Sequence, residues 1–223
     1  MGWFSSACSF IGSVVSSAVS VISSTVSSIG GALASSASSF LKIASPWLGQ
    51  IIEVIQTVGM LLNILQPKDN IEELGAKAMK ADKKPEDFDT NAEYIDYLRN
   101  EVKLDQEKFD KATNAEKVAR MAVGATIVAK GIEEKKGFDI PLTTWVAMAK
   151  LNLEDKAKEI DSILETFKNG KLEDFVKYTE GKLDAQKEIE IGDSLVEMYK
   201  KLEPNMSEKE IEDKVIKMEV GTK

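Results

Sequence analysis

Ile11 to Ile43 can be written as three consecutive blocks of eleven residues, and that register constrains the chain more than any other feature. Ile11, Ile22 and Leu33 share one column, Val15, Val26 and Ala37 a second, and Ala18, Ile29 and Phe40 a third. Serine pairs (Ser16-Ser17, Ser27-Ser28, Ser38-Ser39) fall between the last two columns. Eleven residues in three turns is about 3.67 per turn, close to a straight α-helix, so the columns form one apolar stripe. Phe4 and Ala7 extend it, and Val14, Val19, Val21 and Ile43 make it wider than a coiled-coil seam. The other face is serine, with Ser16, Ser20, Ser24 and Ser28 in an i, i+4 row. Small residues four apart are a device for close packing between helices in lipid.

A surface helix in water normally carries Lys and Glu on its outer face. Here no charged side chain precedes Lys42. Serine competes with the backbone for hydrogen bonds, and Val and Ile are stiff in helices. The stretch therefore needs a partner or a surface. It reads either as serine-rich low-complexity sequence or a helix buried against the rest of the chain, or as a conditional membrane segment. The strict register argues against disorder. Gly30-Gly31 is the expected hinge or hairpin point, and Ser45-Pro46 a second break, with Ser45 as cap and Pro46 in the first turn of the next helix.

Trp47 to Leu65 is a mostly apolar run of about 19 residues, roughly 28 Å as a helix and near the thickness of a bilayer core. Gln50, Glu53 and Thr57 form a thin polar stripe on it. Glu53 at the centre of a lone spanning helix would cost about 3 kcal/mol. It reads as the rim of a soluble helix, as part of a pore-facing stripe, or as the flaw in a simple anchor. The expected insertion face is Phe4, Ile11, Val15, Ala18, Ile22, Val26, Ile29, Leu33, Phe40, Trp47, Ile51, Ile55 and Leu62. The expected helix-packing or pore-facing set is Ser16, Ser20, Ser24, Ser28 and Glu53, with Gly30, Gly31 and Pro46 as hinges.

Lys42 and Glu53 are the only charges before residue 67, so the net charge of −8 lies entirely beyond it. The composition divides the chain into an uncharged apolar and serine-rich region, 1–66, and an acidic helical domain, 67–223. In the latter, Asn70-Ile-Glu-Glu73 opens a short helix, and Asp82 to Asp89 forms a loop. Thr90-Asn-Ala-Glu93, Thr113-Asn-Ala-Glu116 and Ser207-Glu-Lys-Glu210 are capping signals. The run VARMAVGATIVAKGI, from Val118, is the least polar and is expected at the centre of a bundle. Helices with Trp145 and Met148, with Ile160 to Phe167, with Leu172, Phe175 and Val176, with Leu195 and Tyr199, and with Ile211, Val215 and Met218 follow. No window alternates apolar and polar residues, so the expected fold is all-α: a multi-helix bundle with a serine-rich, uncharged amphipathic N-terminal helical hairpin region.

Chemistry is sparse. With no histidine, neither a Ser-His-Asp triad nor the usual zinc site can be built. The phosphate-binding glycine motifs are missing. Asp87 to Leu98 begins like a calcium loop but has Ala92 and Leu98 where glycine and glutamate are needed. The expectation is no catalytic, cofactor-binding or metal-binding residue. The acidic balance argues against nucleic acid and against docking on anionic lipid. Cys8 is alone, so no internal disulfide forms. The N-terminus has no basic segment of a cleaved signal peptide. Met1-Gly2 to Ser6 fits the loose myristoylation pattern, with a bulky Trp3 against it.

The layout of residues 1–66 resembles small helical membrane-active effectors and toxins, in which uncharged small-residue segments insert while a helical domain handles delivery. The apolar stripe backed by serine leads to the expectation of a protein that inserts into a target membrane, as a pore in the fuller form of that reading. The N-terminus leads to secretion without a cleaved signal peptide, and the missing chemistry to no enzyme activity. Expected partners are the lipid membrane, further copies of the chain, and a chaperone or inhibitory partner covering 1–66. Two alternatives remain: a subunit of a larger assembly, such as a virion or secretion apparatus, using 1–66 for helix packing, and an interfacial lipid-binding protein.

Overall fold

A computed structural model describes residues 3–151 and 153–220, with side chains described from 13 to 218. The described residues are all-helical, with no strand among them. The chain divides into two compact units, residues 1–48 with 59–137 and residues 49–58 with 138–223. The packing boundary thus falls elsewhere than the composition step near residue 66.

The first unit begins with α1 (Trp3–Ser24). It ends at Thr25, whose hydroxyl donates to the Ile22 carbonyl at 2.9 Å and whose backbone leaves the helical range. One turn, α2 (Val26–Ile29), leads to Gly30, and α3 (Gly31–Ala44) follows. The helical repeat is therefore interrupted at Gly30, where the hinge was expected, and also at Thr25, which the repeat does not mark. Its apolar columns are redistributed over two arms. Ser45 does not cap a new helix: it has helical angles and enters a 3-10 turn, Ser45–Trp47, that holds Pro46 and runs into α4 (Leu48–Leu61).

α4 has 14 residues, fewer than the run of apolar sequence suggests. Asn63 takes the left-handed conformation (φ 57°), and the N–H groups of Ile64 and Leu65 both turn back onto the Gly59 carbonyl. Such a left-handed residue with returning N–H groups stops a helix. The chain continues through α5 (Ile71–Ala78), a 3-10 turn at Pro85–Asp87, α6 (Asn91–Asn100), the short α7 (Gln106–Asp110) and α8 (Asn114–Lys136).

α8 is the axis of this unit, as its composition predicts. Ala119, Ala122 to Val128, Gly131 and Ile132 are buried, covering every face of the helix. α1, α3, α5 and α6 all pack on it. The closest approach is with α5, at Gly75 and Gly124. A β-carbon at Gly75 would lie 1.9 Å from the Arg120 carbonyl oxygen, and one at Gly124 the same distance from that of Ile71. Only glycine lets the two backbones touch. Thr113 and Glu116 form the full reciprocal capping box; Thr90 caps α6 through the Glu93 N–H, but Glu93 turns to the Asp89 N–H instead of completing the box. Asp69 and Arg99, both nearly buried, join the segment before α5 to α6 at 2.7 Å.

The second unit contains residues 49–58 of α4 and then α9 (Leu142–Lys150), α10 (Lys156–Phe167), α11 (Leu172–Thr179), α12 (Ala185–Leu202) and α13 (Glu208–Val220). Trp145, Ile160, Ile163, Leu164, Phe167, Phe175, Leu195 and Tyr199 build its core, with Phe167 and Phe175 stacked at 5.2 Å. Asn169 and Gly170 at positive φ end α10 where the sequence places a stop. Ser207 and Glu210 cap α13 reciprocally, and Ile211, Val215 and Met218 are buried as their spacing predicts.

Candidate functional site

α1 and α3 fold back on each other as a hairpin whose inner face lies on α8. Val14 and Val15 of α1 line one apolar cavity of about 260 Å³ with Leu41, Ser45, Leu48 and Val118. Pairing of the first arm's 14–15 with the second arm's 41–45 makes the arms antiparallel, with the reversal at Gly30. There φ is 80° and ψ 154°, a combination essentially restricted to glycine. Gly31 is simply the exposed first residue of α3.

The insertion-face residues divide clearly by position. Ala18, Ile22, Ile29, Leu33 and Phe40 are buried, whereas Val15 is half-buried. Val26 departs from the stripe and is exposed, because the break at Thr25 rotates the short α2 away from the line of α1. Trp47 is exposed, and Leu62 is half-buried. Ile51 and Ile55 are buried within the second unit. Phe4 and Ile11, like Cys8 and Gly2, lie outside the residues whose side chains are described.

Ser16, Ser20 and Ser24 are exposed and Ser28 half-buried, so the serine row forms the outer face of the hairpin. Their hydroxyls do not all point outward. Ser20 Oγ donates to the Ser16 carbonyl at 3.1 Å, and Ser24 Oγ to that of Val21 at 2.7 Å. A hydroxyl bonded to its own helix presents less unsatisfied polarity to the surroundings. From residue 13 to 41 neither face of the hairpin carries a charged side chain. Glu53, grouped with these serines on sequence grounds, belongs to the second unit, is exposed, and pairs with Lys156 at 2.7 Å.

Glu86 is the residue that periodicity could not have found. Its carboxylate lies against the hairpin turn, with both oxygens 2.6 Å from where a Gly30 β-carbon would be. That places a negative charge beside the N-terminus of α3, whose N-cap makes no side-chain bond. Glu86 and Phe88 also line a cleft of about 280 Å³ together with Leu33 and Ser36 of α3 and Ile127 and Lys130 of α8. Gly75 and Gly124 were equally unmarked; two small residues in otherwise helical runs are the only trace of the crossing that holds α8.

Among the described residues no helix is long and apolar enough to cross a membrane. α1 has 22 residues but many serines, and α4 has 14. No protein-family model, curated protein or solved structure matches this chain.

Proposed function

We propose that the protein is a membrane-inserting, pore-forming effector whose α1–α3 hairpin is stored on α8 and transfers to lipid in a target membrane. The observation that carries this reading is the outer face of the hairpin, free of charge from residue 13 to 41, opposite an apolar inner face. Detaching Ile22, Ile29, Leu33, Phe40 and Leu41 into water would cost on the order of 10 kcal/mol, at about 2 kcal/mol per large apolar side chain. Lipid accepts the same area, so the hairpin can be held in water and released at a bilayer. The serine face is then the surface through which several copies pack in the bilayer, where a charge would be expensive.

Ser20→Glu with Ser24→Glu tests this directly. Both positions are exposed, so the folded protein should be almost unaffected. Each carboxylate adds about 3 kcal/mol to insertion at the bilayer centre. The native protein should release dye from liposomes and the double variant should not, with identical circular dichroism and melting. Leakage that survives both charges, or native protein that causes none, would sink the proposal.

A second reading has its own support. Ile43, Trp47, Met60 and Leu61 are exposed apolar residues of the first unit, a composition suited to packing against another protein chain. Sedimentation without detergent or lipid separates the two: a defined oligomer that neither binds nor permeabilises vesicles favours an assembly subunit.

A further inference from the structure

We propose that the second unit holds a binding site for a single-chain amphiphile with an anionic head, of the fatty-acid type. The site is a cleft of about 400 Å³ between the end of α9 with its following loop and α13. Its volume falls in the range of small-molecule pockets. Leu151, Leu153 and Met218 form a buried apolar wall, and Met206 lies at its edge. Methionine side chains adapt to flexible apolar ligands.

The head-group end is defined by Lys214. Its Nζ is buried and makes no hydrogen bond among the described residues. Behind it stands Glu159, fully buried on α10, whose oxygens are already used. Oε1 accepts the N–H groups of Glu154 and Asp155 at 2.8 and 2.9 Å, and Oε2 accepts the Tyr199 hydroxyl at 2.5 Å. Lys214 Nζ lies 3.3 Å from Oε2 and 4.8 Å above the Tyr199 ring, attracted but without an aligned acceptor. An ammonium carries three N–H donors, and leaving them unmade inside a protein is expensive. A carboxylate oxygen in the cleft would supply the missing acceptor.

The rest of the rim favours an anion. Lys150 and Lys217 border the cleft. Of the two acids there, Glu210 is engaged by the Ser207 N–H and hydroxyl, and Glu154 is 79% exposed, 3.7 Å from Lys214. In a chain of net charge −8, the three lysines here balance Glu154, Glu210 and Glu159, which leaves the cleft neutral where the rest of the chain is acidic. One buried ammonium backed by Glu159 suits a monoanion with an apolar tail better than a free dianion.

Calorimetric titration of the full chain with decanoate, 1-decanol and inorganic phosphate tests the site. Decanoate should bind at one site per chain, 1-decanol should bind at least tenfold more weakly, and phosphate should not bind measurably. Lys214→Met should weaken decanoate about tenfold. Because that change also strips Glu159 of its counter-ion, Lys217→Glu serves as the second variant; its exposed position leaves folding intact, and it should weaken decanoate roughly threefold. Unsaturable decanoate uptake, native affinity in both variants, or phosphate binding as tight as decanoate would each overturn the assignment. None of these outcomes bears on vesicle leakage.

Discussion

Gly30→Ala isolates the turn on which the hairpin depends. At φ 80° and ψ 154° an alanine is forced into a region essentially closed to residues with a β-carbon, at about 2 kcal/mol. The new methyl would also stand 2.6 Å from both Glu86 oxygens. Those atoms end a flexible exposed side chain, so they can swing aside and add little. Nearly all the loss should therefore be backbone strain. The first unit should melt roughly 7 °C lower, while the second is unchanged. Differential scanning calorimetry and urea titration of Gly30→Ala, Glu86→Ala and the double variant form a thermodynamic cycle. The expected coupling is below about 0.5 kcal/mol. A double variant restored to native stability would show that the carboxylate, not the backbone, sets the turn. Gly30→Ala with native stability would refute the geometry altogether.

Gly124→Ala should be more damaging, above about 3 kcal/mol, since its methyl meets the Ile71 carbonyl at 1.9 Å and only movement of a whole helix can relieve it; urea denaturation gives the value. Burial opposes ionisation of Asp69, but the Arg99 hydrogen bonds, the Gln66 N–H and the Arg99 charge outweigh it and hold the carboxyl below the ordinary aspartate range. The folded value lies below the unfolded one, so this stabilisation is complete above the unfolded pKa and disappears as pH falls through the folded one. Asp69→Asn should cost about 3 kcal/mol at neutral pH and flatten the acid limb of a urea-midpoint profile. Tyr199→Phe removes a donor from buried Glu159 and should cost about 2 kcal/mol by thermal unfolding. Burial first, then the Glu159 contact, pushes the Tyr199 hydroxyl well above its usual range, so ultraviolet titration should show its ionisation only as the protein unfolds.

The helices and their starts were legible because they depend on neighbours in sequence. Thr113 with Glu116 and Ser207 with Glu210 close where the pattern says they should. The apolar run at Val118 sits at the centre because it carries no charge between Arg120 and Lys130 near its two ends. What was not legible depends on groups brought from a distance or on a single residue's backbone. Asn63 shortens α4 through one positive φ, and asparagine in a run of leucines gives only a weak signal. Thr25 breaks the long helix by a side-chain bond that a column of apolar residues does not register. The buried side of the hairpin was readable from the stripe, with Val26 the exception. Glu86 at the turn, some fifty-five residues on, and the Gly75–Gly124 crossing were not, since neither has a periodic trace.

The position of α8 limits how the proposed release could occur. Its sides are buried all round, and α1 and α3 cover much of that surface. Removing the hairpin uncovers two apolar faces, its own and that of α8. Lipid takes up only the first. The stretch from Met121 to Ala129 is uncharged but far too short to follow the hairpin across a bilayer. The bare face of α8 must then be covered by another copy of the chain or by the membrane interface. Release from an isolated monomer in water should consequently be rare, and insertion should depend steeply on both surface and protein concentration. Stopped-flow leakage at fixed lipid should rise with more than the first power of protein concentration. A strictly linear dependence would mean that α8 is covered by its own unit after release, and that the hairpin acts alone.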